Sequence, residues 1–372
     1  MRIAYVTIHI EPKIINGGVG KKINSQISIW KNMGHTVRLF SLTPEPISSI
    51  PDIEQFLFKS SSNAFILKFI TREIARSTAL TRLISQVWRY EPDVIYFRFG
   101  LFTFPLQDLF KIAPVVLEVN SNDQAEYRSR GPFFYWLNRI TRNFIFSHST
   151  GWIASSHELA NLEINRRYRK PVCVVSNGIE LSKYQPLPPP KNQFPALALV
   201  GSPGMNWHGV DKLVPLAEQF PDIKISIIGY RREDFQGEVP ENIHLYGYLE
   251  PEEVKKVLAG VDAVFGTLAL HRKNMQEASP LKVREALAYA IPVILAYRDT
   301  DLTGIDSDLF LYLPNVEENV LEHTQTIHDF AFKAMGRRVE RSLIEERINQ
   351  YQKEEARLKF FETMLNPLGS DS

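Results

Sequence analysis

The sequence predicts an α/β fold of two successive domains, each built on a doubly wound parallel sheet. Short apolar runs recur along the 372 residues with helix-length segments between them, which is typical of parallel strands covered by helices on both faces. A proline-rich segment divides these runs into two groups. The charge changes sign near the same segment: residues 1–186 contain 23 basic and 14 acidic residues (+9), and the remainder contains 20 and 28 (−8).

Each domain is predicted to contain six strands. The apolar runs of the first domain are residues 3–8, 36–42, 93–97, 114–119, 152–155 and 172–175. Those of the second domain are residues 196–200, 223–228, 243–246, 263–266, 292–297 and 309–313. The segments between them are long enough for the crossover helices that parallel pairing requires.

The boundary between the domains is predicted from proline content. Residues 184–195 contain five prolines and show neither a helical nor a strand period, so an extended, semi-rigid linker is expected there. We therefore place the first domain at 1–184, the linker at 185–195 and the second domain at 196–346. The charged, helix-prone segment at 347–366 is expected to join the first domain as a helix.

The composition excludes several classes of protein. Hydrophobic residues make up 44% and charged residues 23% of the chain, which excludes a mostly disordered protein. A single cysteine, Cys173, allows neither an intrachain disulfide nor a cysteine-based zinc site. We expect no membrane span, because no apolar run approaches the roughly 20 residues required. We expect no signal peptide either, and a cytoplasmic location.

A glycine-rich loop after the first strand is a candidate anion site. Residues 16–20 include Gly17 and Gly18 and precede a helix-like stretch at 21–33. Glycines allow the backbone to approach a ligand closely, and the helix start behind them offers free N–H groups. The spacing is neither a dinucleotide fingerprint nor a Walker loop. An ordinary strand-to-helix turn is the alternative interpretation.

A second candidate site lies at residues 277–285. Ser279 and Pro280 favour a helix start, as N-cap and first helical residue. Lys282 then occupies the third helical position, where a cation is unfavourable unless an anionic ligand covers the helix start. Glu277 and Glu285 lie near the same helix end, and their natural ligands are hydroxyl groups, for example those of sugars. The alternative for Glu285 is an ordinary solvated or ion-paired helix residue.

Residues 277–294 resemble the E-x7-E motif and following helix of the family 4 retaining glycosyltransferases. Three other stretches of that family have counterparts here in the same order. Gly17 and Gly18 resemble its N-terminal glycine loop, and residues 175–180 resemble its NG-(I/V)-D segment. Residues 227–229 and 245–248 resemble the strand ends of its second domain. The resemblance implies the GT-B fold, in which two Rossmann-like domains face each other across a cleft.

The resemblance also implies roles for individual residues. The second domain is expected to bind a nucleotide-sugar donor and the first domain the acceptor. Glu285 corresponds to the residue that binds the ribose hydroxyls, and Glu277 to the one that contacts the transferred sugar. Lys282 and the helix start correspond to the pyrophosphate site. The further donor-binding positions implied by the resemblance are Gly17, Gly18, Ser202, Gly229, Tyr248, Leu249, Arg272, Lys273 and Leu281.

Two departures from the family concern the phosphate site. Ser202 stands where the family usually has an arginine, and His208 stands where it usually has a lysine. A histidine binds phosphate as a cation only when it is protonated, and its ordinary pKa is about 6.5. Either His208 is protonated beside the phosphates, or Arg272 and Lys273 replace the missing cations. The third alternative is a protein with weak or lost catalysis.

A third departure concerns the acceptor side. Asn120 stands where many relatives have a histidine near the reaction centre. Because a carboxamide cannot act as a general base, Asn120 is expected only to position a hydroxyl group. Arg98 and Glu126 are further candidates for this side. A buried structural pair is the alternative for each of them.

The predicted activity is that of a retaining hexosyltransferase that needs neither a metal nor another cofactor. A UDP-sugar is the favoured donor, with UDP-glucose as the specific choice, and a polysaccharide or glycolipid hydroxyl is the expected acceptor. The D-x-D sequence at 299–301 is interpreted as a loop or helix cap. Two alternatives remain open: a catalytically weak nucleotide-sugar-binding protein, and another GT-B enzyme, either an inverting transferase or an epimerase.

One segment raises the question of a membrane partner. Residues 127–146 interleave aromatic residues with arginines, a composition shared by interfacial helices and by core helices with a basic edge. A core helix is the favoured interpretation. Docking of residues 1–186 on an anionic membrane is the alternative, given their positive charge. We expect no nucleic-acid partner, because no recognisable binding module is present.

Overall fold

The structure is a computed structural model that describes residues 1–8, 18–47, 50, 52–59 and 65–366. It divides into two units. The first unit consists of Met1–Val175 and Gln350–Ser372, and the second of Ser176–Asn349. Each unit contains one large sheet in which every strand pairing is parallel. The predicted fold class is therefore confirmed.

The first unit contains a seven-stranded sheet with the order β3-β2-β1-β4-β5-β6-β7. Its strands are β1 (Arg2–Thr7), β2 (Thr36–Thr43), β3 (Ile53–Leu57), β4 (Val94–Arg98), β5 (Val115–Val119), β6 (Gly151–Ala154) and β7 (Val172–Val174). Six of them lie where the apolar runs predicted strands. The exception is β3, an edge strand whose half-buried sequence lacks a continuous apolar run.

Helices connect these strands and cover the sheet. They are α1 (Gly18–Asn32), α2 (Phe65–Tyr90), α3 (Asp123–Ser129), α4 (Pro132–His148), α5 (His157–Asn161) and α6 (Glu163–Arg166). Asn122 caps α3 by accepting from the N–H of Ala125, and Ser156 caps α5 by accepting from the N–H of Leu159. These caps satisfy N–H groups that the first helical turn leaves without partners.

The second unit contains a six-stranded sheet with the order β10-β9-β8-β11-β13-β15 and a small two-stranded sheet, β12-β14. The large-sheet strands are β8 (Ala196–Val200), β9 (Lys224–Ile228), β10 (Ile243–Gly247), β11 (Ala263–Phe265), β13 (Val293–Leu295) and β15 (Phe310–Tyr312). The small sheet consists of β12 (Glu277–Ala278) and β14 (Arg298–Asp299). All six predicted strands are present, whereas the two-residue strands were not predicted.

The helices of the second unit are mostly short. They are α7 (Leu213–Gln219), α8 (Pro251–Ala259), α9 (Leu281–Ala288), α10 (Asn319–Glu322), α11 (Thr324–Ala334) and α12 (Glu345–Ile348). Single 3-10 turns lie at Leu106–Lys111, Leu181–Lys183, Asn206–His208, Val210–Lys212, Arg232–Asp234, Leu270–Lys273 and Arg341–Leu343.

The C-terminal helix α13 (Gln350–Leu365) belongs to the first unit. The indole N–H of Trp30 donates to Glu354 at 2.8 Å. The ring of Phe361 lies 5.6 Å from that of Trp30 and 5.2 Å from that of Tyr96. Because all three rings are fully buried, this helix completes the apolar core of the first unit.

The boundary between the units falls between Val175 and Ser176, earlier in the chain than the predicted domain end at residue 184. The predicted linker at 185–195 is bonded within the second unit. The N–H of Leu187 donates to the carbonyl oxygen of Tyr289, and Arg338 donates to the carbonyl oxygens of Leu187 and Pro188. The proline-rich segment therefore lies within the second unit and not between the two units.

In each large sheet the strand order reverses at one point, which lies between β1 and β4 in the first unit and between β8 and β11 in the second. Ligands of open parallel sheets bind beyond the carboxyl ends of the strands at such points. In the second unit the turns after β8 and β9 approach closely there. A Cβ atom on Gly229 would lie 2.1 Å from the carbonyl oxygen of Gly201, so only glycine fits.

Candidate functional site

The loop after β8 is built around the imidazole of His208, which is only 8% exposed. Its Nδ1 atom accepts a hydrogen bond from the N–H of Ser202 at 3.2 Å and lies 2.9 Å from the hydroxyl of Tyr230. That hydroxyl also contacts the carbonyl oxygen of Ser202 at 2.7 Å. Since a backbone N–H always carries its proton, Nδ1 is the acceptor and the imidazole proton resides on Nε2.

His208 is a neutral imidazole in this structure. Burial, with smaller contributions from the positive charges of Lys282 and Lys273, lowers the pKa of His208 to about 2. It therefore carries no charge at neutral pH, and protonation does not supply the missing cation in the unliganded protein. What His208 offers to a phosphate oxygen is a neutral donor, Nε2–H.

Lys282 is the cation of this edge that the protein leaves unpaired. Its Nζ atom is buried and has no hydrogen-bond partner among the described residues. Burial lowers the pKa of Lys282 to about 7. A buried ammonium without a partner is costly, and the positive charge of Lys282 contributes to the lowered pKa of His208. An anion beside Lys282 would supply the missing counter-charge.

The two other candidate cations differ from each other. The guanidinium of Arg272 bonds to Asp211 at 2.7 and 2.9 Å, to Glu317 and to the carbonyl oxygen of Asn206. A phosphate would have to compete with the carboxylates of Asp211 and Glu317 for this guanidinium. Arg272 therefore stabilises the loop through these ion pairs. The ammonium of Lys273 lies 4.6 Å from the ring centre of Trp207, close enough to affect His208.

The two motif carboxylates occupy different surroundings. Glu277 is buried in β12, where it lies opposite Arg298 of β14. Glu285 is partly buried on α9 and accepts a hydrogen bond from the hydroxyl of Tyr184. Burial, the Glu285 charge and this hydrogen bond raise the pKa of Tyr184 well above its usual value, so Tyr184 remains a donor at neutral pH.

The start of α9 differs in detail from the prediction. The helix begins at Leu281, which makes Lys282 its second residue, and Pro280 precedes it as the N-cap residue without a side-chain cap. Ser279 is therefore not the N-cap residue, and its hydroxyl accepts from the N–H of Asn177 at 3.0 Å. The side-chain amide of Asn177 donates to the carbonyl oxygen of Ser279. Asn177 thereby holds the motif segment in place.

The D-x-D sequence at 299–301 is part of an internal ion cluster. The buried guanidinium of Arg284 donates to both carboxylate oxygens of Asp299, at 2.7 and 2.9 Å, and to Asp301 at 2.8 Å. Arg284 also donates to the carbonyl oxygen of Asn177. Bidentate pairing of this kind fixes the plane of the guanidinium relative to that of the carboxylate. The two aspartates therefore orient α9 relative to the segment that follows β13.

The predicted donor-binding positions Tyr248 and Leu249 follow β10 at the carboxyl edge of the sheet. β10 ends at Gly247, whose φ of +64° turns the chain. Tyr248 after it is exposed, and Leu249 is partly buried. Gly229, Ser202 and Leu281 also lie in the second unit. The structure therefore brings eleven of the predicted site residues into one unit: Ser202, His208, Gly229, Tyr248, Leu249, Arg272, Lys273, Glu277, Leu281, Lys282 and Glu285.

The first unit has a charged cluster at the carboxyl ends of β4 and β5. Glu118 is fully buried and lies 2.8 Å from both Lys22 and Arg98. Tyr5 donates a further hydrogen bond to it. Burial opposes ionisation of Glu118, but Lys22 and Arg98 outweigh this effect and hold its pKa well below the usual range. Arg98, a candidate for the acceptor side, is thus engaged in a buried ion pair.

Asn120 is oriented by this cluster. Its side-chain oxygen accepts a hydrogen bond from Lys22 at 3.0 Å. The carboxamide therefore keeps its NH2 group available to a further partner, as a donor. Glu126 is a partly exposed residue of α3, and Gly18 is the exposed first residue of α1. Gly17 lies outside the described residues.

Several solved structures share this fold over almost the entire chain. The sucrose-phosphate synthase of Thermosynechococcus elongatus is 12% identical, with a TM-score of 0.65, and the match covers 98% of this chain and 99% of that one. The lipopolysaccharide outer core galactosyltransferase WaaB is 14% identical, with a TM-score of 0.62, covering 97% and 100%. HepE of Anabaena, in a complex with UDP, is 14% identical with a TM-score of 0.62, covering 98% and 100%. The fold is therefore GT-B, as predicted.

The sequence itself matches one family. Residues 16–183, just under half of the chain, match the model described as Glycosyltransferase Family 4. This match and the shared GT-B fold support the family that the motifs predicted. A search of curated proteins by sequence finds no match.

The residues that sequence reasoning missed are those that hold the motif residues. They are Tyr184, which bonds to Glu285, Tyr230, which contacts His208, Asn177, which bonds to Ser279, and the Arg284–Asp299 pair. Asn177 lies within the NG-(I/V)-D-like segment at 175–180, and Tyr184 follows it closely. Their closeness to this motif was the signal that could have identified them. For Tyr230 and Arg284 the sequence carried no signal. Their partners are distant in the chain, or are one of several residues of the same chemical type.

Among the residues that the structure describes, no helix is both long and apolar enough to cross a membrane.

Proposed function

We propose that this glycosyltransferase transfers a hexosyl unit from a nucleotide sugar, with UDP-glucose as the favoured donor, to a hydroxyl of a polysaccharide or glycolipid. The transfer retains the anomeric configuration and requires no metal. The observation that carries the proposal is the buried, unpartnered Nζ of Lys282 at the start of α9. Of the described residues near it, His208 offers a donor and Lys273 a second cation.

The donor chemistry follows from these groups. A diphosphate gives the Lys282 ammonium the counter-charge that the unliganded protein lacks, and the Nε2–H of His208 adds a neutral hydrogen bond. Glu285 and Glu277 accept hydrogen bonds from hydroxyl groups, those of the ribose and of the transferred sugar respectively. HepE, a protein of the same fold, has been solved with UDP and with UDP-glucose, which supports this class of donor.

The proposed reaction balances without a cofactor. The acceptor oxygen forms a bond to the anomeric carbon on the face from which the donor phosphate departs. The bond between that carbon and the phosphate oxygen breaks, and the acceptor proton passes to the departing phosphate. Lys282 stabilises the negative charge that develops on this leaving group. Asn120, oriented by Lys22, donates a hydrogen bond that positions an oxygen of the acceptor side.

The absence of a metal requirement is supported by the carboxylates of the D-x-D sequence. Asp299 is fully buried, and both of its oxygens bond to Arg284. A divalent cation would have to displace this guanidinium. The two-fold pairing therefore favours a structural role for Asp299 and Asp301, and Lys282 with Lys273 supplies the positive charge.

A nucleotide-sugar-binding protein with little turnover is the second candidate function. Its support is the pairing of Arg272 with Asp211 and Glu317, together with the neutral state of His208. Both observations remove cations that the family usually presents to the leaving group. Such a protein would bind the donor but hydrolyse or transfer it slowly.

Calorimetric titration with UDP, GDP and ADP, each with and without EDTA, tests the proposal. We expect one nucleoside diphosphate to bind, with the same affinity in EDTA. Lys282→Met should weaken it by at least about tenfold, the effect of losing one charged hydrogen bond. Lys256→Met, an exposed lysine of α8 in the same unit, is the matched control and should bind normally.

The outcomes separate the two functions. Turnover of the corresponding nucleotide sugar, with an α-linked product from an α-linked donor, supports the retaining enzyme. Binding without turnover for any tested acceptor supports the second candidate. If no diphosphate binds, or if the Lys282→Met variant binds as well as the wild type, the donor site is wrongly assigned.

A further inference from the structure

The exposed surface of α4 carries an unusual combination of residues. We propose that the first unit docks on an anionic lipid bilayer through this surface. The arginine–aromatic patch, as we name it, consists of Arg128, Arg130, Phe133, Phe134, Trp136, Arg139 and Ile140. The proposal stands independently of the donor chemistry, because every residue of the patch belongs to the first unit.

The apolar part of the patch is strongly exposed. Phe133 is 58%, Trp136 56% and Ile140 70% exposed, and Phe134 is also exposed. Phe133, Trp136 and Ile140 are three and four residues apart, so they form one stripe along the helix surface. Contiguous exposed apolar surface of this kind marks an interaction site more often than isolated exposed residues do.

The predicted core role of residues 127–146 holds only for the opposite face of α4. Asn138, Arg142, Ile145 and Phe146 are buried there. Arg142 pairs with the buried Asp123 at 2.9 Å. The helix is therefore anchored by its polar and apolar inner face, and its outer stripe is already formed and rigid before any partner arrives. Docking requires no folding of the helix, which lowers its entropic cost.

The charge of the patch identifies the partner. Residues 127–148 contain four arginines and no acidic residue. Of these, Arg142 is buried, and the other three flank the apolar stripe in exposed positions. Arginines can pair with the negatively charged headgroups of an anionic bilayer, and the aromatic and aliphatic side chains beside them can enter its acyl region. A protein partner would need a complementary acidic rim around an apolar groove.

The arginines are also held in suitable positions. The guanidinium of Arg139 lies 5.6 Å from the ring centre of Trp136, and that of Arg128 lies 4.9 Å from the ring centre of Tyr135. Both arginines donate to the hydroxyl of Tyr135. Stacked in this way, the cations stay at the border of the apolar stripe, at the depth where lipid phosphates lie when the aromatic rings enter the interface.

The patch lies at the edge of the first unit where ligands bind. Crossover helices run antiparallel to the strands of a parallel sheet, so the first half of α4 lies near the carboxyl end of β5. Asn120 follows β5 directly, and Arg98 ends β4 at the same edge. A bilayer that contacts the patch therefore lies on the side of the sheet where the acceptor residues are, which favours a lipid-linked acceptor over a soluble one.

Flotation of the full-length protein with vesicles tests the docking. Vesicles of phosphatidylcholine with phosphatidylglycerol should bind the protein, and vesicles of phosphatidylcholine alone should bind it much more weakly. Removing two interfacial side chains in the double variant Trp136→Ser with Ile140→Ser should reduce binding to anionic vesicles by about tenfold or more. Replacing Arg128 and Arg130 by glutamine should reduce it by about fivefold per charge.

Trp88→Ser is the matched control. Trp88 is 66% exposed in the same unit, but it lies near the end of α2, away from the carboxyl edge. Its substitution should leave vesicle binding unchanged, and circular dichroism should show that all variants fold. Equal binding by the wild type and the double variant would overturn the proposal. So would a dimer, seen by sedimentation velocity, that the double variant abolishes while vesicle binding is absent.

Discussion

The hydroxyl of Tyr184 donates a hydrogen bond to the carboxylate of Glu285, although the two residues are a hundred positions apart in the chain. Both belong to the second unit, and the ring of Tyr289 packs against that of Tyr184 with its centre 5.0 Å away. The tyrosine therefore holds one oxygen of Glu285 while the carboxylate keeps capacity for further donors. If Glu285 binds ribose hydroxyls, Tyr184 orients it for that task.

Tyr184→Phe is expected to raise KM for the nucleotide sugar while leaving kcat nearly unchanged. The lost hydrogen bond contributes about 0.5–1.5 kcal/mol, which corresponds to an increase of roughly two- to tenfold in KM. Steady-state kinetics with varied donor measures both constants. Tyr289→Phe removes a neighbouring hydroxyl and should leave KM unchanged. A fall in kcat alone would indicate that Tyr184 acts near the reacting atoms instead.

Lys282 is expected to determine the pH dependence of donor capture. Burial lowers the pKa of Lys282 to about 7, so the free enzyme loses this charge as the pH rises above 7. The value of kcat/KM should be highest below pH 7 and should fall by about tenfold per pH unit above it. In Lys282→Arg the guanidinium keeps its charge, and the decline should disappear. A decline that persists in this variant would assign the titration to another group.

The same lysine has an effect on stability with a definite sign. The pKa of Lys282 is lower in the folded protein than the value of about 10.4 of an unfolded chain. Between the two values the unfolded chain binds more protons, so the stability of the unliganded protein should rise with pH across this range. Lys282→Met should remove this rise and stabilise the unliganded protein at pH 6 by about 1–3 kcal/mol. Chemical denaturation at several pH values measures the difference.

The sequence predicted the sheets better than it predicted the contacts around the site. Continuous apolar runs identified twelve strands, because strands buried on both faces carry the signal themselves. β3 lacks a continuous apolar run, and the strand that contains Glu277 is only two residues long. Ser279 has the properties of an N-cap residue, yet the helix begins one residue later than predicted and the hydroxyl of Ser279 accepts from the N–H of Asn177. The helix-capping propensity of a serine does not show which backbone N–H its hydroxyl will bind in the folded protein.

The exposed stripe of α4 shows another limit of sequence reasoning. Periodicity indicates that Trp136 and Ile140 share a face with Phe133, and it indicates equally that Ile145 and Phe146 share another. It does not tell which of the two faces the sheet covers. The buried pair of Arg142 and Asp123 decides this in the structure. Because charged residues are rarely buried, the sequence offered no reason to place Arg142 on the inner face.

Arg284 is expected to be essential for the stability of the second unit. Its guanidinium is fully buried between Asp299 and Asp301. Arg284→Met leaves the buried Asp299 without its counter-charge, which should reduce the free energy of unfolding by about 3–5 kcal/mol. Thermal denaturation measures this loss. Arg298→Met, an exposed arginine next to the cluster, should cost little, and manganese should not change the melting temperature of either the wild type or this control.

Asn120 provides the test of the acceptor side, because one substitution can change its chemistry without disturbing its anchor. In Asn120→Asp, a carboxylate oxygen still accepts the hydrogen bond from Lys22 that the carboxamide oxygen accepts at 3.0 Å. The NH2 donor, however, becomes an acceptor. If that donor positions an oxygen of the acceptor or the developing charge, kcat should fall by about 10²-fold or more, while donor affinity measured by titration stays unchanged. Asn120→Gln, which keeps the amide but moves it, should lose activity to a similar extent. Wild-type kcat in Asn120→Asp would show that the amide takes no part in the reaction and that its bond to Lys22 serves only the buried cluster around Glu118.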